Sequence, residues 1–451
     1  MKNQFIFLLI IANSFFLNAQ ENTKLCDENQ SKINQLIDEN KIENALDLVS
    51  DVLKNCPTTA NEKFYQNVEK VISYKLEFAK NDKSKNDLIQ DLIKIYDSYD
   101  KKFPDNTNEN AVKKAIYLND NNIGTKTDVY NILNKAFKSS PENFKNPRAF
   151  YIYFELFEKQ SKEPNSTIKL DDLISKNIEI NQKNNLLQQK IASEIEILEQ
   201  PQIIKRSEIK SKKADLQALQ IAETAYNGIL QNYLTCNNLK DFAVKNFDKN
   251  TTNDFWNKYV SMLLFDRNCY NTEIFAKLAK QSNELNSTSK SNYYLGFSSF
   301  AAGDVEKTTT FFNEAANKEN DIRKKAEIYY TVATTVFGMT ERANAINYIK
   351  KAIATDSHFG KPYLYLANLY QESVNECAKT EFDKKAFNWL LASTVEKAGI
   401  ADEYYKKTTQ KQIASYLKKV PTKAEILKAK KAGKTIKFDC FINENIEVPS
   451  K

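Results

Sequence analysis

The chain has 451 residues, 41% of them hydrophobic and 27% charged, with a net charge of +7, 8 glycines, 9 prolines and 1 histidine. So little turn chemistry excludes a many-stranded sandwich or barrel and predicts a nearly all-α protein. Lysines alternate with Asp and Glu along most of the chain, without the concentrated basic stripe and interleaved aromatics that a nucleic-acid partner would require.

Lys2 precedes an apolar stretch from Phe5 to Leu17, closed by Leu17-Asn18-Ala19. This reads as a secretory signal peptide over residues 1–19, too short to cross a bilayer comfortably. Glu21 to Lys24 separate Cys26 from the apolar stretch, which argues against a lipidated cysteine. The expectation is a soluble chain exported to the periplasm, with no integral span after cleavage. Cysteines 26, 56, 236, 269, 377 and 440 are even in number, and an exported setting favours disulfides. No CxxC or CxxH spacing exists, so no metal site and no cofactor is expected. Pairing in sequence order would join the ends of helical hairpins at Cys26 with Cys56 and Cys236 with Cys269, although sequence alone leaves the pairing open.

Apolar residues at three- and four-residue spacing predict two short helices over 31–54, split at Glu39-Asn40-Lys41. Helices follow over Asn61 to Lys80 and Leu88 to Phe103, the latter stopped by Pro104. Further ones are expected over Asn108 to Leu118, Thr127 to Ser139 and Asn146 to Gln160, with Pro141, Pro147 and Pro164 at the breaks. From Lys169 to Tyr233 the chain turns Gln- and Lys-rich, with Leu187, Ile191, Ile195 and Leu198 in one helical stripe and Pro201 interrupting. That pattern predicts a pair of long antiparallel helices. The lysine-rich runs Lys205 to Lys213 and Lys423 to Lys434 read as solvated faces. After Gly433, Ile436, Phe438, Cys440 and Ile442 alternate with polar residues, predicting an extended tail that Cys440 could strap to Cys377. Closing that loop of 63 residues would stabilise the chain by about 4 kcal/mol. The domain plan is a signal peptide over 1–19, an N-terminal helical region over 20–165 and a long helical pair over 166–233. A repeat domain over 234–420 and a capping tail over 421–451 complete it.

Within the repeat domain one order of aromatic and small residues recurs, in units opening at Ser289, Ala326 and Gly360. The first carries Leu295-Gly296 and Gly303-Asp304, Phe312 and Ala315; the second Val332-Ala333, Ala345, Ile349 and Ala352; the third Lys361 to Tyr370, then an insertion holding Cys377. These residues resemble tetratricopeptide repeats. With the leader, the Cys236/Cys269 segment and the closing Phe441 to Glu444, the chain also resembles exported repeat proteins of Bacteroidetes-type Gram-negative bacteria. Thr308 and Asn292 depart from the repeat pattern. The resemblance implies a right-handed superhelical array of antiparallel helix pairs, an α-solenoid, whose first helices line a concave groove. In that groove would stand Lys290, Tyr293, Phe297, Glu327, Tyr330, Thr334, Lys361, Leu364, Asn368 and Gln371. Rings beside amide and lysine groups suit a peptide or protein segment. The lysine-asparagine carboxylate clamp of some such domains is not reproduced, since only Asn368 is suitably placed.

Nothing in the sequence spells an enzyme. His358 stands alone between two repeats, no GxxxxGK[ST], GxGxxG or GxSxG segment occurs, and Asp171-Asp172 would point apart on a helix. The expected function is a non-enzymatic interaction scaffold of the cell envelope, binding a protein or peptide. The alternative is a glycan- or nutrient-capturing envelope protein, a class usually lipidated and richer in aromatic loops than a chain with 2 Trp.

Overall fold

The computed structural model describes residues 24–56, 61–104, 107–201, 205–338 and 341–450; the leader expected over 1–19 lies outside them. Helix follows helix. Residues 24–38 form α1, followed by α2 (Ile42–Asn55), α3 (Glu62–Glu77), α4 (Asp82–Lys102), α5 (Glu109–Asp120), α6 (Lys126–Ser139) and α7 (Pro147–Ser161). The long helices α8 (Leu170–Leu198) and α9 (Arg206–Leu230) come next. Then follow α10 (Cys236–Asn246), α11 (Asp254–Asp266), α12 (Glu273–Leu285), α13 (Ser289–Ala301), α14 (Val305–Lys318), α15 (Ile322–Thr331), α16 (Arg342–Thr355) and α17 (Gly360–Glu372). The chain closes with α18 (Val374–Cys377), α19 (Glu381–Ala401), α20 (Lys406–Leu417), α21 (Lys423–Lys428) and the strands β1 (Thr435–Phe438) and β2 (Glu444–Glu447).

Local chemistry sets where helices begin and turn. Asn61, Asn81, Thr125, Asn146, Thr272, Thr288, Asp304 and Asp321 each accept a first-turn backbone N–H with a side-chain oxygen. Pro147 occupies the first position of α7, where a missing N–H costs nothing. With glycine scarce, asparagine takes the left-handed conformation in several turns: Asn40, Asn122, Asn268 and Asn443 all have positive φ. Composition therefore shaped the turns as well as the helices.

Contacts divide the chain into Met1–Asn232 and Tyr233–Lys451. In the first unit Cys26 is bonded to Cys56, tying the start of α1 to the end of α2 over a core containing Ile33, Val52, Phe64, Val68 and Leu92. The long helices α8 and α9 run antiparallel, and asparagines occupy buried positions between them. Asn181 Nδ2 donates to Asn227 Oδ1 at 2.9 Å, Tyr226 Oη donates to Asn181 Oδ1 at 3.2 Å, and Asn184 Nδ2 donates to Tyr226 Oη at 3.0 Å. Each bond forms in only one register, so the network sets the alignment of the pair, with Asn184 Oδ1 alone of its amide oxygens left without a partner. Replacing Asn181 with alanine removes the group that Tyr226 and Asn227 both address. It is expected to cost about 1–3 kcal/mol, read as a lower urea midpoint at unchanged slope.

The second unit is an array of helix pairs. Helices α13 and α14, α15 and α16, and α17 and α19 pack as successive antiparallel hairpins around a core that includes Phe312, Ala315, Val332, Ala345, Ile349, Leu366 and Phe387. The small residues of the repeat pattern sit where helices touch. A Cβ added at Gly296 would stand 2.9 Å from the Phe312 ring, so any side chain there would push α13 off α14. Cys236 is bonded to Cys269, and Cys377, on the short α18 of the third unit, to Cys440.

Two features departed from the expected pattern. The second unit's first helix widens into π-helix over Val332–Phe337, ending at Gly338 with φ +50°. The tail is a hairpin rather than one extended segment: β1 and β2 pair antiparallel with Phe438 opposite Glu444, and the chain reverses at Asn443 with φ +48°. Ile436, Phe438, Ile442, Ile446 and Val448 all join the core of the repeats. Lys350 Nζ donates to Ile442 O at 3.0 Å and pairs with Glu444 at 2.7 Å, while Tyr370 Oη donates to Glu444 Oε1 at 2.6 Å. Apolar burial and a polar latch thus hold the tail against α16, α17 and α19.

Candidate functional site

The first helices of the three repeat units, α13, α15 and α17, carry the ten residues expected to line the groove. They do not form one continuous surface. Phe297 is only 6% exposed and packs among Phe265, Tyr270, Tyr293 and Phe312, with ring centroids 4.8–5.3 Å away, so it belongs to the core and not to a ligand-facing wall. An aromatic at that position of the motif reads equally well as packing, and the crowded rings decide for packing. Tyr293 is half-buried in the same ring group, its ring centroid 5.4 Å from that of Phe312. Lys290 lies exposed, its ammonium 5.8 Å from the Tyr294 ring.

The second and third units present a different arrangement. Tyr330 of α15 is half-exposed, with Lys361 Nζ 5.2 Å from its ring, Phe359 at 5.7 Å and Tyr365 at 6.0 Å. Arg323, at the start of α15, stacks its guanidinium 4.6 Å from the Phe359 ring and bonds Asp356 at 2.6 Å. Burial raises the pKa of the Tyr330 hydroxyl, with Tyr365 and Tyr405 adding to the effect. The cluster therefore offers rings flanked by the Lys361 ammonium and by the Arg323–Asp356 ion pair. The motif pointed to Tyr330 and Lys361 but missed Arg323, Phe359 and Tyr365. Phe359 sits in the turn before α17, outside the helix pattern, and only the fold brings it beside Tyr330.

The remaining residues border this cluster. Glu327 and Asn368 are exposed and Leu364 is half-buried. Thr334 lies in the π-helical stretch, its hydroxyl donating to Tyr330 O at 3.0 Å. Gln371 is exposed and accepts from Tyr416 Oη at 3.0 Å.

Elsewhere the polar groups mostly satisfy one another. A cavity of about 110 Å³ lined by Tyr65, Glu69, Tyr96, Tyr99 and Lys113 looks chemical at first sight. Its Glu69 is taken up by Tyr96 Oη at 2.9 Å and Lys113 Nζ at 3.0 Å, and Tyr99 Oη donates to Glu62 at 2.6 Å. Burial and the Glu69 charge push the Tyr96 hydroxyl pKa far up, away from any acid–base role. His358 is exposed, its ring 3.9 Å from Asp356, the carboxylate that Arg323 already holds. No group of three or more metal-ligating side chains occurs among the described residues.

No family model matches the chain, and no curated protein matches it in sequence. Among solved structures, the crystal structure of yeast Tom70 aligns over 90% of this chain and 90% of its own, at 13% identity and a TM-score of 0.30. Overlap that loose carries no argument about what the chain binds.

Proposed function

We propose that the protein is a non-enzymatic scaffold that binds an extended peptide or protein segment on the face of α15 and α17, with Tyr330 and Lys361 at its centre. The carrying observation is the pair of half-exposed rings Tyr330 and Tyr365 beside the exposed Lys361, backed by the buried Phe359 ring and by Arg323. Rings give area at low entropic cost, and the Lys361 ammonium fixes register by meeting an acidic or carbonyl group of the bound segment. An exported, oxidising setting is part of the proposal, supported by three cystines and by the apolar stretch from Phe5 to Leu17.

A displayed library of random linear peptides, selected on the wild-type protein, provides the test. Selected peptides are expected to bind the Tyr330→Ala/Lys361→Ala double variant at least ~10-fold more weakly, because central aromatic and cationic anchors dominate such interfaces. Equal binding by the variant, with its melting curve unchanged, would remove this face from consideration.

A further inference from the structure

The charge of this chain is concentrated at its C-terminal end. Residues 406–437 hold 11 lysines and a single acid, Glu425, a local net charge of +10; the rest of the chain must therefore carry −3 of the overall +7. Elsewhere lysines commonly meet carboxylates along or between helices, as in Lys212 with Glu194 or Lys258 with Asp254. In this segment only Lys406 does so, with Glu403 at 3.0 Å. Glu425 is engaged by Lys385 from α19, which lies outside the segment, and holds its carboxyl pKa at about 2. The other ten lysines have no ion-pair partner among the described residues.

The fold gathers these charges. On α20 and its C-cap, Lys407, Lys411 and Lys418 fall at spacings of four and seven residues, one stripe opposite the Thr409, Ile413 and Tyr416 side that faces inward. Helix α20 folds back along α19, starting with Thr409 against Gly399. Its far end, with Lys418 and Lys419, therefore returns alongside the middle of α19, short of Lys385, which holds α21. The short link from Lys418 to Thr422 joins α20 to α21, so the lysines of α21 and the following turn stand near the end of α20.

Apolar side chains stand exposed within this field. Leu417 is 48% exposed beside Lys418, and Leu427 71% exposed beside Lys428. Neither packs into the core, and both are flanked by side chains whose long stems reach past them. The segment contains no arginine, and its one aromatic ring, Tyr416, is half-buried and bonded to Gln371. A nucleic-acid surface would use arginine forks and stacking rings, whereas leucines among lysines match an interfacial layer of anionic headgroups over acyl chains.

We propose that the α20–α21 surface docks the protein peripherally on a membrane rich in anionic lipid, the lysines meeting phosphate groups and Leu417 and Leu427 entering the headgroup boundary. No helix among the described residues is long and apolar enough to cross a bilayer, so the contact is one of surface charge and shallow insertion. It adjoins α17 through the Tyr416–Gln371 bond, but its lysines and leucines are not part of the Tyr330 group and the proposal does not depend on that group.

Co-sedimentation of the whole protein with vesicles tests this directly. Binding is expected to phosphatidylcholine vesicles containing phosphatidylglycerol, not to phosphatidylcholine alone, and to fall as salt is raised. The Lys407→Glu/Lys411→Glu/Lys418→Glu variant, altered only on the solvent side of α20, should keep its helical circular dichroism and lose roughly 100-fold in vesicle affinity, at about fivefold per lysine. Leu417→Ser/Leu427→Ser should lose about tenfold with its salt dependence intact. Equal binding to neutral vesicles, an unaffected triple lysine variant, or tighter binding to a single-stranded thymidine oligonucleotide at the same salt would each overturn the proposal.

Discussion

Phe438→Ala is expected to destabilise the C-terminal unit by about 3–5 kcal/mol, the usual cost of emptying a fully buried phenyl site. Phe438 is 1% exposed, and its ring lies 4.5 Å from Phe387 of α19, itself fully buried. A tail resting on the repeats as a loose flap would leave this ring half-wet, and truncation would cost under about 1 kcal/mol. The side chain instead fills the space over Phe387 between the tail and the repeat helices, so its loss opens a cavity in the core the two share. Hydrogen exchange during urea titration would locate the change: amides of α16, α17 and α19 should lose protection together with those of 435–448. Loss confined to 435–448 would mean that the tail contributes nothing to the repeats beneath it.

Removing the Cys377–Cys440 bond should cost about 4 kcal/mol, through the freedom the unfolded chain regains when a closed loop of 63 residues is released. Cys26–Cys56 closes a loop of 30 residues, about half as long, so its removal should cost about 0.6 kcal/mol less. The Cys377→Ala/Cys440→Ala variant separates the covalent link from the packing, because Ile436, Phe438, Ile446 and the Lys350–Glu444 pair remain. Its tail should stay seated in native conditions while the denaturant midpoint falls. A tail that comes free at once in this variant, measured by limited proteolysis after Lys434 or Lys437, would show that the disulfide alone holds it.

The parts of the fold that follow from side-chain periodicity were readable in the sequence. The first two repeat hairpins open with Thr288 and Asp321 caps, and Gly296, Ala333, Ala345 and Ala367 are buried as their spacing in the repeat implied. The hairpin in the tail was not readable as such. Ile436, Phe438 and Ile442 display the period of a strand, but a second strand of only four residues, turning on Asn443, leaves too short a pattern to recognise. The π-helix at Val332–Phe337 was hidden for the opposite reason, since its residues still satisfy the helical spacing and only backbone geometry distinguishes it.

The binding face was legible only in part, for a related reason. Position in a repeat says which helix a residue lies on and roughly which way it points, but not how deep its neighbours reach. Phe297 and Tyr330 lie on first helices of adjacent units; one is enclosed by Phe265, Tyr270 and Phe312, and the other faces outward beside Lys361. Arg323 and Phe359 enter the face through contacts between units that no spacing within a unit encodes. The lysines from Lys407 to Lys437 were visible as composition, yet only the fold leaves them without ion-pair partners among the described residues and exposes Leu417 and Leu427 beside them.

Hydrogen exchange of the wild-type protein, with and without a peptide selected from the linear library, tests the recognition face most directly. Slowed exchange confined to 322–337 and 360–371, and absent in the Tyr330→Ala/Lys361→Ala variant, is the result expected of a peptide laid across α15 and α17. Protection on the opposite helices α14 and α16, or within residues 24–230, with 322–337 and 360–371 unchanged, would contradict it.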